Sequence, residues 1–110
     1  MSEQFNVIDE AGHLLCPCCG WPDYVDKPAY THFGGVSGSG ICACCLWEPG
    51  FDDDPLASAD ALSTPLQSVR KYRHKFWSNK VWRGRQSEKP EAWNPSAQIE
   101  ALLKMAPYLK

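Results

Sequence analysis

The chain has 110 residues, 44% hydrophobic and 22% charged, with a formal net charge of −2. This is the size of one domain, and no apolar run approaches the about eighteen residues of a membrane span. The small net charge conceals a split: residues 1–60 hold ten acids and one base, residues 61–110 three acids and ten bases. The halves therefore attract each other or present faces of opposite sign, which bears on partners more than on fold.

In chain order, Phe5-Asn6-Val7-Ile8 is a short apolar run, Asp9-Glu10-Ala11-Gly12 is turn-forming, and His13-Leu14-Leu15 leads on to Cys16. The pattern predicts a β-hairpin feeding that cysteine, with His13 on the strand surface. Next comes Cys16-Pro17-Cys18-Cys19-Gly20, echoed by Cys42-Ala43-Cys44-Cys45; the two stretches hold all six cysteines. Each reads as C-x-x-C, Cys16 with Cys19 and Cys42 with Cys45. A C-x-x-C turn points two sulfurs the same way, and two such turns supply the four thiolates of a tetrahedral, structural Zn²⁺ site. Gly20 suits the positive φ that often follows the second cysteine, whereas Leu46 stands at that place in the second turn. Three disulfides are the competing use of six cysteines. The opening Met1-Ser2-Glu3-Gln4 carries no basic n-region or apolar h-region, so the expectation is a cytoplasmic chain with reduced thiols. Cys18 and Cys44 are left over as small hydrophobes, as substitute ligands, or as members of a two-metal cluster.

Between the turns, Trp21 to Lys27 is a polar connection, Ala29-Tyr30-Thr31-His32-Phe33 a candidate strand, and Gly34 to Gly40 a glycine-serine loop without P-loop spacing. Ile41 is expected as a buried strand residue. After the second turn come Trp47, Glu48 and Phe51, then Asp52, Asp53 and Asp54. The rings are expected to pack over the metal site, and the acids form either a solvated cap or an anionic patch. Ser63-Thr64-Pro65 is a helix start, and Leu66, Val69, Tyr72, Arg73, Phe76 and Trp77 recur at helical spacing, predicting a helix over 65–78. Asn94-Pro95 begins a second helix, with Ile99, Leu102, Leu103 and Met105 towards the core and Pro107 limiting its end.

The fold expectation is α+β: a small zinc-ribbon-like β region with two knuckles (1–56) and two C-terminal helices (57–110), all in one domain. C-P-C-C-G, then Ile41, Cys42, Cys45, Trp47 and Glu48 and the aspartates at 52–54, resembles a cysteine-rich bacterial family named for its CPCC signature. The resemblance covers about residues 14–56. It implies a small zinc-ribbon-like domain in a bacterial cytoplasm, and little about activity.

Three function classes follow. The first is a non-enzymatic, zinc-stapled protein-binding module. Trp47, Glu48, Phe51, Asp52, Asp53 and Asp54 would be its contact surface for a basic partner, as in an immunity or antitoxin-like protein. The second is a nucleic-acid binder using Arg70, Lys71, Arg73, Lys75, Lys80, Arg83 and Arg85 for phosphates, with Trp77 and Trp82 for stacking. The third is an enzyme, in particular a thiol redox protein using Cys18 or Cys44. Against catalysis, no nucleophile–base–orienter set is visible, and four protein thiolates leave zinc no open position. The sequence favours the first reading.

Overall fold

The computed structural model describes residues 6–25, 28–29, 40–49 and 65–110. Over these the fold is α+β: a two-stranded antiparallel sheet and two helices. The candidate strand at 30–33, the loop at 34–39, His32, Phe51, the three aspartates and the Ser63-Thr64 cap all lie outside the described residues. Among the described residues, no helix is long and apolar enough to cross a membrane.

Strands β1 (Val7–Ile8) and β2 (Leu14–Leu15) form the expected hairpin, with Val7 opposite Leu15 and Ile8 opposite Leu14. Asp9 builds its turn: one carboxylate oxygen accepts from the backbone N–H of Ala11 (3.0 Å) and of His13 (2.8 Å). An aspartate that satisfies two loop amides in this way fixes the reversal without a regular two-residue turn. His13 precedes the strand instead of lying in it. Its Nδ1 sits 2.7 Å from Asp23, tying the hairpin to the loop beyond the first cysteine turn.

Helix α1 (Pro65–Phe76) buries Val69 and Tyr72 and ends two residues earlier than the periodicity predicts. Trp77 directly follows the helix, its backbone N–H still bonded to the Arg73 carbonyl (2.9 Å), and its ring lies in the core at 1% exposure with the indole N–H donated to Val81. Lys80 then turns the chain at φ +53. Helix α2 (Pro95–Met105) starts as predicted: the Asn94 side chain accepts from the Ala97 N–H at 3.1 Å, with proline in the first turn. Ile99 and Leu102 are buried. Met105 is not; it is 45% exposed, and the next buried position is Ala106. Six residues past Ile99, position 105 stands about a third of a turn off the buried face, while 106 returns to it. A 3-10 turn, Pro107–Leu109, packs on both helices and buries Leu109 completely.

Ile41, expected in a buried strand, is 55% exposed and lies in no strand. Its neighbour Cys42 points inward, so Ile41 points out as the chain enters the second cysteine turn. The buried residues of both halves, from Val7 to Leu109, form one core cluster, and the six cysteines are part of it.

Candidate metal centre

The two cysteine stretches fold as copies of one loop. In the first, Cys16 N–H donates to the Trp21 carbonyl (3.0 Å) and Gly20 N–H to the Cys16 carbonyl (2.8 Å). In the second, Cys42 N–H donates to Trp47 (2.9 Å) and Leu46 N–H to Cys42 (2.9 Å). Gly20 has φ +86, as its position suggested, and Leu46 takes the same left-handed backbone at φ +68. A leucine there costs roughly 1–2 kcal/mol. The matching hydrogen bonds hold the geometry without glycine, and the side chain finds room because it is 36% exposed. At Gly20 glycine serves a second need. A Cβ would lie 2.8 Å from the Gln98 carbonyl oxygen and 3.0 Å from Leu102 Cβ, where α2 crosses the turn.

The Sγ atoms of Cys16, Cys19, Cys42 and Cys45 all lie within 4.8 Å of one another. Cys16 and Cys45 are 3.7 Å apart, Cys19 and Cys42 3.6 Å. A tetrahedron with metal–sulfur bonds of about 2.3 Å has sulfur–sulfur edges of about 3.8 Å, so the group can hold a metal ion. All six cysteines are free thiols, and each is fully buried.

The electrostatics divide the cluster. Burial pushes Cys16 up, but hydrogen bonds from Cys18, Cys19 and Cys42 outweigh it and lower the thiol to about 6. Cys45 reaches about 6 in the same way, burial being overcome by Cys16, Cys18 and Cys19. Burial, reinforced by the Cys16 sulfur, raises Cys19 well above 9.0, and it raises Cys42 too. The four titrate as one coupled set. Cys16 and Cys45, 3.7 Å apart, compete for the charged form, and a cation bound between the sulfurs would displace the protons that remain.

Cys18 and Cys44 face the helices. Cys18 donates to the Val69 carbonyl of α1 (3.6 Å), and Gln98 of α2 donates to the Cys44 sulfur (3.6 Å). Burial and the neighbouring Cys16 and Cys45 sulfurs hold Cys18 well above 9.0, so it stays a thiol.

Sequence reasoning missed the layer around the turns. Arg73 donates to the carbonyls of Cys18 (2.6 Å), Pro17 (2.8 Å) and, across the core, Leu109 (2.6 Å). Gln98 donates to Cys19 (2.9 Å) and is itself held by the Trp93 indole. On the second turn, the Cys45 carbonyl accepts from the Tyr72 hydroxyl (2.8 Å) and from Arg83 (3.0 Å). The Arg83 backbone N–H reaches Cys44, and a Cβ at Gly84 would fall on the Ala43 carbonyl, so this segment lies directly against the turn. Burial lowers Arg73 from its ordinary value, while charge on the cysteines opposes that shift. One signal was available: Arg73 stands among apolar residues on the face of α1 that the periodicity buries. Gln98 carried none.

These contacts correct two expectations. Trp47 is 0% exposed, its ring edge-on to Tyr72 at 5.1 Å, so it is a core residue and presents nothing to a partner. Glu48 beside it is half-buried. Trp77 and Trp82 are buried at 1% and 7%, with their indole N–H groups given to Val81 and Arg85, so neither ring is open to stack on a base. Of the basic set, Arg73 and Arg83 serve the cysteine turns, and Arg70 donates to the Tyr108 and Lys110 carbonyls. No family model, curated protein or solved structure matches the chain.

Proposed function

We propose that Cys16, Cys19, Cys42 and Cys45 hold one structural Zn²⁺, and that the chain is a non-enzymatic, zinc-stapled interaction module of the cytoplasm. The observation that carries this is four buried sulfurs, from two identical turns, at the spacing of a tetrahedral thiolate site. Buried thiolates of this number favour zinc among common divalent ions, and a site closed by four protein ligands leaves no position for water. The metal would supply folding free energy and no reaction step. The motif resemblance to the CPCC family points the same way.

The interaction role rests on chemistry rather than on a contact. Glu48, Phe51, Asp52, Asp53 and Asp54 follow directly on the second turn, and their charge suits a basic protein such as the target of an immunity or antitoxin-like protein. The nucleic-acid alternative loses its stacking rings to the core.

Elemental analysis of protein purified without added metal tests the first part, with about one zinc per chain expected for a closed four-thiolate site. Cys16→Ser and Cys42→Ser should lose it, and Cys18→Ser should keep it. Folded protein without metal, or metal lost on Cys18→Ser and kept on Cys19→Ser, refutes the assignment. For the second part, changing Asp52, Asp53 and Asp54 together to Asn should slow association with a captured basic partner and flatten its salt dependence. An unchanged rate removes the acidic segment from the interface.

A further inference from the structure

Cys18 and Cys44 are the two cysteines that the four-thiolate site leaves unused. Both are fully buried and hold the same place in the two matching loops, yet their surroundings differ. The Cys18 sulfur lies against the sulfurs of Cys16 and Cys45 and interacts with each. Those two come from different turns and are 3.7 Å apart. Three sulfurs thus gather along one edge of the four-cysteine group. The bond from Cys18 to the Val69 carbonyl, at 3.6 Å, is a weak S–H contact and does not by itself call for a cysteine. Cys44 stands by Cys19 instead, and its sulfur accepts from Gln98.

Charge separates the two edges further. The Cys18 carbonyl accepts from the guanidinium of Arg73 (2.6 Å) and the Cys45 carbonyl from that of Arg83 (3.0 Å). Beside Cys44 the donors are neutral: the Gln98 amide on the Cys19 carbonyl and the Arg83 backbone N–H on the Cys44 carbonyl. The edge that includes Cys18 is therefore the one furnished to hold excess negative charge inside the core.

We propose that Cys16, Cys18 and Cys45 form a three-sulfur site for monovalent copper, which shares two sulfurs with the zinc site so that one ion excludes the other. Thiolates are soft ligands that suit Cu(I), and Cu(I) is satisfied by fewer of them than the four that zinc takes. A planar three-sulfur centre with bonds of about 2.3 Å has edges of about 4.0 Å, close to the observed 3.7 Å. Three negative sulfurs less one positive ion leave an excess of two negative charges, which Arg73 and Arg83 match. On binding, the Cys18 proton leaves to solvent and any zinc is released; no electron is transferred. The inference rests on the four-cysteine reading for Cys16 and Cys45, and it does not require zinc to be the resident ion.

Cu(I), supplied anaerobically as its bathocuproine disulfonate complex, is titrated against the full-length protein as purified. Uptake of about one Cu(I) per chain is expected, with bound zinc released to a colorimetric chelator. X-ray absorption at the copper edge should show three sulfur neighbours. Cys18→Ala should weaken Cu(I) by at least about tenfold, since even the outer partners of a metal are worth that much, and should leave zinc content unchanged. Cys44→Ala should alter neither. Four sulfurs around the copper overturn the proposal, and that measurement is made on the unaltered chain, so it stands whether or not the variants fold. Unchanged Cu(I) affinity in Cys18→Ala overturns it too, as does an equal loss in Cys44→Ala, because copper would then span the whole cluster. Protein purified without zinc that takes Cu(I) on three sulfurs would refute the zinc reading alone and uphold this one.

Discussion

Arg73 ties α1 both to the first cysteine turn and to the C-terminal 3-10 turn, and replacing it tests that double role. Its guanidinium closes three short bonds, to Pro17, Cys18 and Leu109, at 2.8, 2.6 and 2.6 Å. A hydrogen bond with a charged partner contributes about 1.5–3 kcal/mol net. Three of them are not additive, and Arg73 is only partly buried, so water can rescue some of the freed carbonyls. We therefore expect Arg73→Met, which keeps an apolar stem, to cost about 3–4 kcal/mol rather than the simple sum. That is a large share of the 5–15 kcal/mol or so available to a small domain. Arg73→Lys keeps the charge but cannot fork between three acceptors, so about half the loss should remain. Urea unfolding with zinc in excess measures both. A chelator competition on the same variants should show zinc affinity falling by roughly tenfold or more for Met, as for other groups that orient metal ligands. If Met and Lys lie within about 0.5 kcal/mol of the wild type, the range of an ordinary surface change, Arg73 does not hold the two turns to α1. If they are destabilised equally, the forked geometry is irrelevant and the reasoning fails.

Gly20→Ala combines a positive φ with a Cβ placed 2.8 Å from the Gln98 carbonyl, and should cost about 2–4 kcal/mol by thermal or urea unfolding. Leu46→Gly at the matching position of the other turn should stay within about 1 kcal/mol, since relieved strain offsets added chain entropy. Ser68 is buried in α1 with a hydroxyl that has no partner among the described residues, so Ser68→Ala should raise stability by about 1 kcal/mol. Between pH 7 and 9 the metal-free cluster should already be partly ionised, because Cys16 and Cys45 are lowered to about 6 while Cys19 and Cys42 are raised. Zinc uptake measured by calorimetry in two buffers should then release fewer than four protons per ion, with more released and weaker binding as pH falls through 6; four protons at pH 8 would contradict this.

The hairpin, the second helix and its cap, and the four-cysteine cluster were legible because each is local: a turn sequence, a period, a spacing. The ends of those patterns were less legible. Ile41 and Met105 are apolar, yet they are exposed because neighbours one residue away, Cys42 and Ala106, take the inward positions. Trp47 and Trp77 could be read either as core, from the rings expected over the site and from the helical period, or as contact surface; with Trp82 they are core. Ring size alone does not separate the two uses. What decides it is that a 110-residue chain must fill its interior with the large residues it has. Least legible were Gln98 and Tyr72 as partners of the cysteine turns, since contacts 79 and 27 residues away in sequence leave no local trace.

The charge split takes on a different meaning in the fold. Read linearly, it suggests an acidic half and a basic half that recruit separate partners. A divalent ion on four thiolates carries a net double negative charge, and enclosing that in a small core is costly unless compensated nearby. Arg73 and Arg83 stand on the backbone of the two cysteine turns, one on each. Their two positive charges match the excess of a loaded site. Part of the basic half is thus internal counter-charge, supplied by the helical segment to the turns. The arginines are also the residues suited to it, because a guanidinium remains charged when partly buried and can hold several carbonyls at once. Exposed lysines such as Lys80 and Lys104 stand outside that shell. Arginine and lysine therefore differ in use in the second half, Arg73 and Arg83 being spent on the turns. Exchanging the types tests the division: Arg83→Lys should weaken zinc retention, while Lys80→Arg should leave it as it is.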